Sequence, residues 1–154
     1  MRVVSRESHR HGLELLRRKN LEAELSAVLE NSTLRLRTGE TKQLKAALAT
    51  QLRSRGWATG VRVDAELGVA VNGLKDKVAI QVQLGNMARA FYDLMKLQSL
   101  HHQGRAECAV LVLSTQSAAR RLGTNHASYE RITQELGSIF FEQITVPIAV
   151  LGVE

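Results

Sequence analysis

Residues 72–103 have the sequence NGLKDKVAIQVQLGNMARAFYDLMKLQSLHHQ, which contains the strongest structural signal in the chain. Apolar positions alternate from residue 78 to residue 84, with Gln81 and Gln83 on the face opposite the larger aliphatic side chains. This alternation predicts a β-strand with one aliphatic face. Asn86 predicts a helix start, because its side chain can accept a hydrogen bond from the first helical N–H groups. The helix is expected to bury a stripe formed by Met87, Phe91, Leu94 and Met95.

The hydrophobic pattern predicts further elements on both sides of this stretch. Helices are expected over residues 6–31 (with a break near residues 17–20), 41–56 and 128–136. Strands are expected over residues 61–67, 69–71, 109–113 and 146–153. The resulting order, α-α-β-β-β-α-β-α-β, predicts an α/β or α+β sandwich with a mixed central sheet of about five strands. The first three strands should form an antiparallel meander.

The composition indicates one globular domain, 1–154, whose charge suits a polyanion partner. A chain of 154 residues with 44% hydrophobic residues can bury one core. The formal charge of +6 favours a partner rich in phosphates. No stretch of about 18 apolar residues is present, which argues against a membrane protein. The single cysteine, Cys108, excludes an internal disulfide. Residues 1–12 carry charges but no apolar segment, so a secretory signal is not expected there. A cytoplasmic location is therefore expected.

The polar face of the predicted strand at residues 78–84 is a candidate site. Gln81 and Gln83 project from one face, directly before a predicted helix N-terminus at Asn86. Polar side chains beside a helix N-terminus are a common setting for a phosphate and a divalent cation. A solvated sheet face would produce the same pattern, so periodicity alone leaves both interpretations open.

The same segment resembles the catalytic core of BglII/BamHI-type restriction endonucleases, a branch of the PD-(D/E)XK superfamily. In that branch an Asp lies nine residues before an E-x-(Q/E/K) strand, a Gly-Asn or similar turn ends the strand, and a helix with an aromatic-Asp-Leu-Leu-Lys-like pattern follows. Here Asn72 lies nine residues before Gln81, Gly85 and Asn86 follow the strand, and residues 91–96 are FYDLMK. Three further features extend the resemblance over nearly the whole chain: Gly56-Trp57, ECAVLVL at 107–113 and VPIAVLGVE at 146–154.

The resemblance implies a Mg²⁺-dependent phosphodiester hydrolase and assigns roles to four residues. Asn72 occupies the position of the first metal-binding Asp, and Gln81 that of the catalytic Glu. The backbone carbonyl of Val82 would be a further metal ligand. Gln83 occupies the third catalytic position, where glutamine is acceptable in the BglII-like branch.

The resemblance also implies double-stranded DNA as the partner. Asn86 and Arg89 fall where such enzymes contact bases or phosphates, and their side chains have suitable geometry for base edges in the major groove. For Arg89 a solvated helix face is an equally good explanation. Family members act as two-fold dimers on palindromic sites, so a homodimer is expected. The helices at 6–31 and 87–103 are candidates for the dimer contact.

The departures from the family pattern matter as much as the match. Mg²⁺ prefers charged oxygen ligands, and the amides at Asn72 and Gln81 offer none of the negative charge of the family's carboxylates. Cleavage should therefore be absent or weak. Two explanations remain open: deliberate inactivation of a nuclease, or a natural pseudonuclease that acts as a non-enzymatic DNA-binding or regulatory protein. An unrelated basic α/β scaffold that binds protein or RNA is the third hypothesis.

A further alternative is that the metal-binding carboxylates have moved. Asp64 lies seventeen residues before Gln81 and is the reserve metal ligand. It shares its predicted strand face with Glu66, which favours a solvated face instead. The remaining carboxylates considered for this role are Asp76, Glu22 and Glu24.

Overall fold

A computed structural model describes residues 1–36, 39, 41–123 and 125–154. The described strands are β1 (Val3–His9), β2 (Ala58–Arg62), β3 (Ala70–Lys75), β4 (Val78–Gln83), β5 (Cys108–Ser114) and β6 (Ile148–Val153). The described helices are α1 (Gly12–Arg18), α2 (Glu22–Leu29), α3 (Thr41–Arg53), α4 (Met87–His102), α5 (Gln116–Leu122) and α6 (Tyr129–Leu136).

The strands form one mixed sheet in the order β1-β6-β5-β4-β3-β2. β4, β5 and β6 are parallel, whereas β2, β3 and β4 form an antiparallel meander and β1 pairs antiparallel with β6. The prediction of a mixed sheet with a central strand at 78–84 is confirmed, because β4 lies inside the sheet and all six of its residues are buried. The sheet has one strand more than expected.

Helices cover both faces of the sheet, and the sheet separates two hydrophobic clusters. The larger aliphatic residues of β4 (Val78, Ile80 and Val82) pack with α1, α2 and α3 on one face. Ala79 packs on the other face, together with apolar residues of α4 and α6. The small Ala79 side chain allows α4 to lie close to the sheet. The Asn86 cap is confirmed, since its Oδ1 accepts a hydrogen bond from the Ala88 N–H at 2.8 Å.

The prediction of a helix over residues 6–31 is wrong at its start. Residues 3–9 form β1, an edge strand that buries only its first and last residues, so it shows no clear two-residue alternation. Arg10 and His11 have positive φ angles of 48° and 62° and turn the chain into α1. Gly12 begins α1 against the backbone of β6, where a Cβ would lie 2.1 Å from the Ile148 carbonyl carbon. The expected break near residues 17–20 is present at Asn20, with φ of 58°.

The predicted strand over 61–67 is also wrong beyond Arg62. Residues 63–69 form a turn, in which the Asp64 carboxylate accepts hydrogen bonds from the N–H groups of Glu66 and Leu67 at 2.9 and 2.8 Å. Asp64 therefore hydrogen-bonds the backbone of its own turn, and this segment does not continue the strand. Residues 72–75, for which no strand was predicted, belong to β3, and the turn between β3 and β4 is confined to residues 76–77.

Two further differences concern helices. Sequence reasoning missed α5, which is short and has a polar first turn. Met95, expected in the buried stripe of α4, is 49% exposed. No described helix is both long enough and apolar enough to cross a lipid bilayer.

Candidate functional site

The structure brings Asn72 and Gln81 together where β3 and β4 stop pairing through their backbones. Regular pairing ends at Gly73 and Ile80. Beyond this point the Val82 N–H donates to Asn72 Oδ1 at 2.6 Å, and the Asn72 N–H donates to Gln81 Oε1 at 3.3 Å. Two amide side chains thus take the place of ladder hydrogen bonds between the separating strands.

The polar face of β4 is not a solvated sheet face. Gln81 and Gln83 are only 6% and 8% exposed. Buried amides need hydrogen-bond partners, and Gln83 Nε2 donates to the Asn86 carbonyl at 3.3 Å. This contact holds the end of β4 against the start of α4.

A pocket of about 370 Å³ opens at this end of β4. It lies between the beginnings of α3 and α4 and is lined by Leu44, Lys45, Val82, Gln83, Leu84, Gly85, Asn86 and Arg89. Val82, Gln83, Asn86 and Arg89 were singled out from the sequence, whereas Lys45 was not. The sequence feature that could have identified Lys45 is the positive charge of α3, which contains Lys and Arg but no Asp or Glu.

A buried ion pair fixes the strand that carries Asn72. Lys96 Nζ lies 2.6 Å from Asp93 Oδ1, and both side chains are about nine-tenths buried. The same ammonium donates to the Ala70 carbonyl at 2.9 Å. Since Ala70 begins β3, the pair connects α4 to the backbone two residues before Asn72.

The amides at the site do not match the ligands that Mg²⁺ requires. Asn72 Oδ1 and Gln81 Oε1 accept hydrogen bonds from backbone N–H groups, and neither oxygen carries a formal charge. Among the described residues, no group of three or more His, Cys, Asp or Glu could hold a metal ion. The donor set therefore does not fit the divalent cation of the family.

Three of the four carboxylates considered as substitutes are engaged elsewhere, and the fourth, Asp76, lies in the exposed turn between β3 and β4. Asp64 caps its own turn, and Glu22 pairs with Arg6 and Arg17 at 3.1 and 2.7 Å. Glu24 accepts hydrogen bonds from Lys75 at 2.9 Å and from Trp57 Nε1 at 2.7 Å. Burial acts to raise the pKa of Glu24, but these hydrogen bonds together hold it below its usual value. The glutamate is therefore an ionised structural partner of Lys75.

A second polar surface adjoins the site through the loop before α6. Asn86 and His126 form an isolated β-bridge, and the Ala127 N–H donates to the Gly85 carbonyl at 2.8 Å. Beside this loop lies a pocket of about 510 Å³. Its lining residues are Gln116, Ala119, Arg120, Gly123, Asn125, His126, Ser128 and Arg131. Sequence reasoning missed this surface because it lies far along the chain from the motif.

Comparison with known proteins identifies the family. A model of the restriction endonuclease BglII/BglIII family matches residues 4–153. No curated protein sequence matches the chain significantly. Two crystal structures share the fold: BglII complexed with a DNA 16-mer (TM-score 0.77, 14% identity, covering 100% of this chain and 79% of that one), and free BglII (TM-score 0.75, 15% identity, covering 100% and 80%). Because the family match spans nearly the whole chain, this protein belongs to the BglII/BglIII restriction endonuclease family.

Proposed function

We propose that the protein binds specific sequences in double-stranded DNA and that its cleavage activity is absent or weak with the present residues. The observation that carries this proposal is the placement of Asn72 and Gln81. They meet where β3 and β4 separate, at the positions where the family resemblance requires an Asp and a Glu. The family membership and the net charge of +6 support DNA as the partner.

The site supports DNA binding better than hydrolysis. Asn86 and Arg89 are exposed at the start of α4 and can reach base edges or phosphates. In the family, Mg²⁺ supplies charge stabilisation and an activated water. Amides in place of both carboxylates remove two negative charges from the metal position, and the backbone carbonyl of Val82 cannot replace them.

The protein is proposed to act as a homodimer in the cytoplasm, with α4 in the contact between subunits. Ala88, Tyr92 and Met95 lie on one exposed face of this helix, and Tyr92 and Met95 are 54% and 49% exposed. Exposed aromatic and methionine side chains are typical of protein interfaces. A two-fold dimer would match a palindromic DNA site.

Duplex binding and cleavage can be tested together on the unaltered protein. Incubation with plasmid DNA and Mg²⁺ should retard the plasmid in a gel without nicking it. Strong Mg²⁺-dependent cutting would contradict the proposal and indicate that Asp64 or a helix glutamate holds the metal. If the protein retains no duplex DNA, the DNA-binding part of the proposal is wrong, and a basic scaffold that binds protein or RNA is favoured.

A further inference from the structure

The positive charge of the chain is concentrated in one segment. Residues 31–62 contain seven Lys and Arg but only one acidic residue, Glu40. The rest of the chain contains fourteen basic and fourteen acidic residues, so its net charge is zero. The entire excess of +6 therefore belongs to the segment that includes α3.

The basic residues of α3 share one exposed face. Lys42, Lys45 and Arg53 are exposed and lie within about 80° of one another around the helix axis, at roughly 100° per residue. Leu44, Leu48 and Leu52 form a buried stripe of α3 that is centred about 100° away around the helix axis. Neither Lys42 nor Lys45 has an ion-pair or hydrogen-bond partner among the described residues. Both ammonium groups can therefore bind an external anion.

This face, defined here as the α3 basic face (Lys42, Lys45 and Arg53), is continuous with the candidate site. Lys45 lines the same pocket as Gln83 and Arg89. Lys42 and Arg53 are eleven residues apart, which corresponds to about 16 Å along a helix. Phosphates along one DNA strand repeat about every 3.4 Å of duplex axis, so the face can span roughly five of them.

We propose that the α3 basic face binds the phosphate backbone of the duplex that occupies the candidate site, a role that rests on the proposed function. Ala46 and Ala49 lie between the basic side chains, so a sugar-phosphate strand can approach the helix closely. Lysine contacts to phosphates act through charge and carry no sequence information. The α3 basic face should therefore add affinity and salt dependence, while sequence preference comes from elsewhere.

The test compares two double variants that remove the same charge. Lys42→Gln/Lys45→Gln changes the α3 basic face, and Arg18→Gln/Lys77→Gln changes two exposed cations near the β3–β4 turn, at the other end of β4. Binding to a fluorescent duplex is measured by anisotropy over a series of salt concentrations. The α3 variant should reduce the slope of log K against log salt by about 1.8, at roughly 0.9 for each phosphate that is no longer neutralised. The control variant and a charge-preserving Lys42→Arg/Lys45→Arg variant should keep the slope of the unaltered protein.

The outcomes separate this proposal from the proposed function. If the unaltered protein binds duplex DNA and both Gln variants have the same slope, the α3 basic face does not bind phosphates. If the unaltered protein binds no duplex, both proposals fail. If the α3 variant loses binding to RNA or to anionic vesicles but not to duplex DNA, the partner of this face is a different polyanion.

Discussion

Replacing Asp93 should destabilise the protein strongly, because its carboxylate is the ion-pair partner of a buried ammonium. The side chains of Asp93 and Lys96 are 8% and 10% exposed, with 2.6 Å between Oδ1 and Nζ. In Asp93→Leu, Lys96 would keep its hydrogen bond to the Ala70 carbonyl but lose its only counter-charge in the described structure.

The expected magnitude follows from the cost of an unpaired buried charge. Removing one partner of a buried ion pair typically costs about 3–5 kcal/mol. Replacing both partners with apolar residues of similar size is often neutral or stabilising, because no charge remains buried. Asp93→Leu/Lys96→Met should therefore recover much of the stability lost in Asp93→Leu. Some loss should persist, since the Ala70 carbonyl has no donor in the double variant.

Urea unfolding followed by circular dichroism measures these differences. Glu142→Leu is the matched control, because it also removes the carboxylate of an ion pair, that with Arg10, but Glu142 is 83% exposed. An exposed ion pair contributes only about 0.2–1 kcal/mol. The reasoning is refuted if Asp93→Leu costs no more than Glu142→Leu, or if the double variant is less stable than Asp93→Leu.

Two further predictions concern buried polar groups. Gln98 Oε1 accepts hydrogen bonds from the N–H groups of Thr145 and Val146 at 2.9 and 3.0 Å. Gln98→Ala should lower the free energy of unfolding, measured in urea, by about 2–4 kcal/mol, because each buried group left without a partner costs roughly 1–3 kcal/mol. Gln43→Ala, at an exposed position, should change it little. Equal effects of the two substitutions would contradict this prediction. Burial lowers the pKa of His9, so below about pH 6.5 the unfolded chain binds a proton more readily than the folded one. Stability should fall as the pH drops from 7 to 5, and His9→Gln should reduce that fall; identical pH profiles would refute the assignment.

The central part of the fold was predictable from the sequence because its patterns are strong. β4 and β5 are flanked by strands on both sides. β4 has a regular apolar alternation, β5 has a nearly continuous apolar sequence, and α4 begins at a side-chain cap. The hydrophobic pattern did not predict β1, because this edge strand buries little of its surface. It also failed at residues 63–67, where alternation continues although Asp64 ends the strand through local hydrogen bonds.

The sequence predicted only part of the candidate site, because the other residues reach it through tertiary packing. The pairing of Asn72 with Gln81 follows from a hairpin and from the family resemblance, both of which are local in sequence. Lys45 joins the pocket only because α3 packs beside the end of β4. Likewise, the loop at residues 125–127 reaches Asn86 through tertiary contacts that no local pattern specifies.

Asn72 and Gln81 are proposed to occupy the positions of the family's catalytic carboxylates. Asn72→Asp and Gln81→Glu preserve side-chain size and the oxygens that accept the backbone hydrogen bonds. The double variant therefore returns two negative charges to an unchanged framework. Asn20→Asp/Gln134→Glu is the matched control, because it adds the same charges at exposed positions.

The most direct measurement is plasmid cleavage in Mg²⁺ by the Asn72→Asp/Gln81→Glu variant, with Mg²⁺ binding followed by calorimetry. The double variant should bind Mg²⁺ and cut DNA, while each single variant falls well short because residues acting as one unit are not additive. The unaltered protein and the exposed control should neither bind the metal tightly nor cut. A double variant that binds no Mg²⁺ and cuts no DNA would contradict the claim and favour a natural pseudonuclease whose other site residues have also changed.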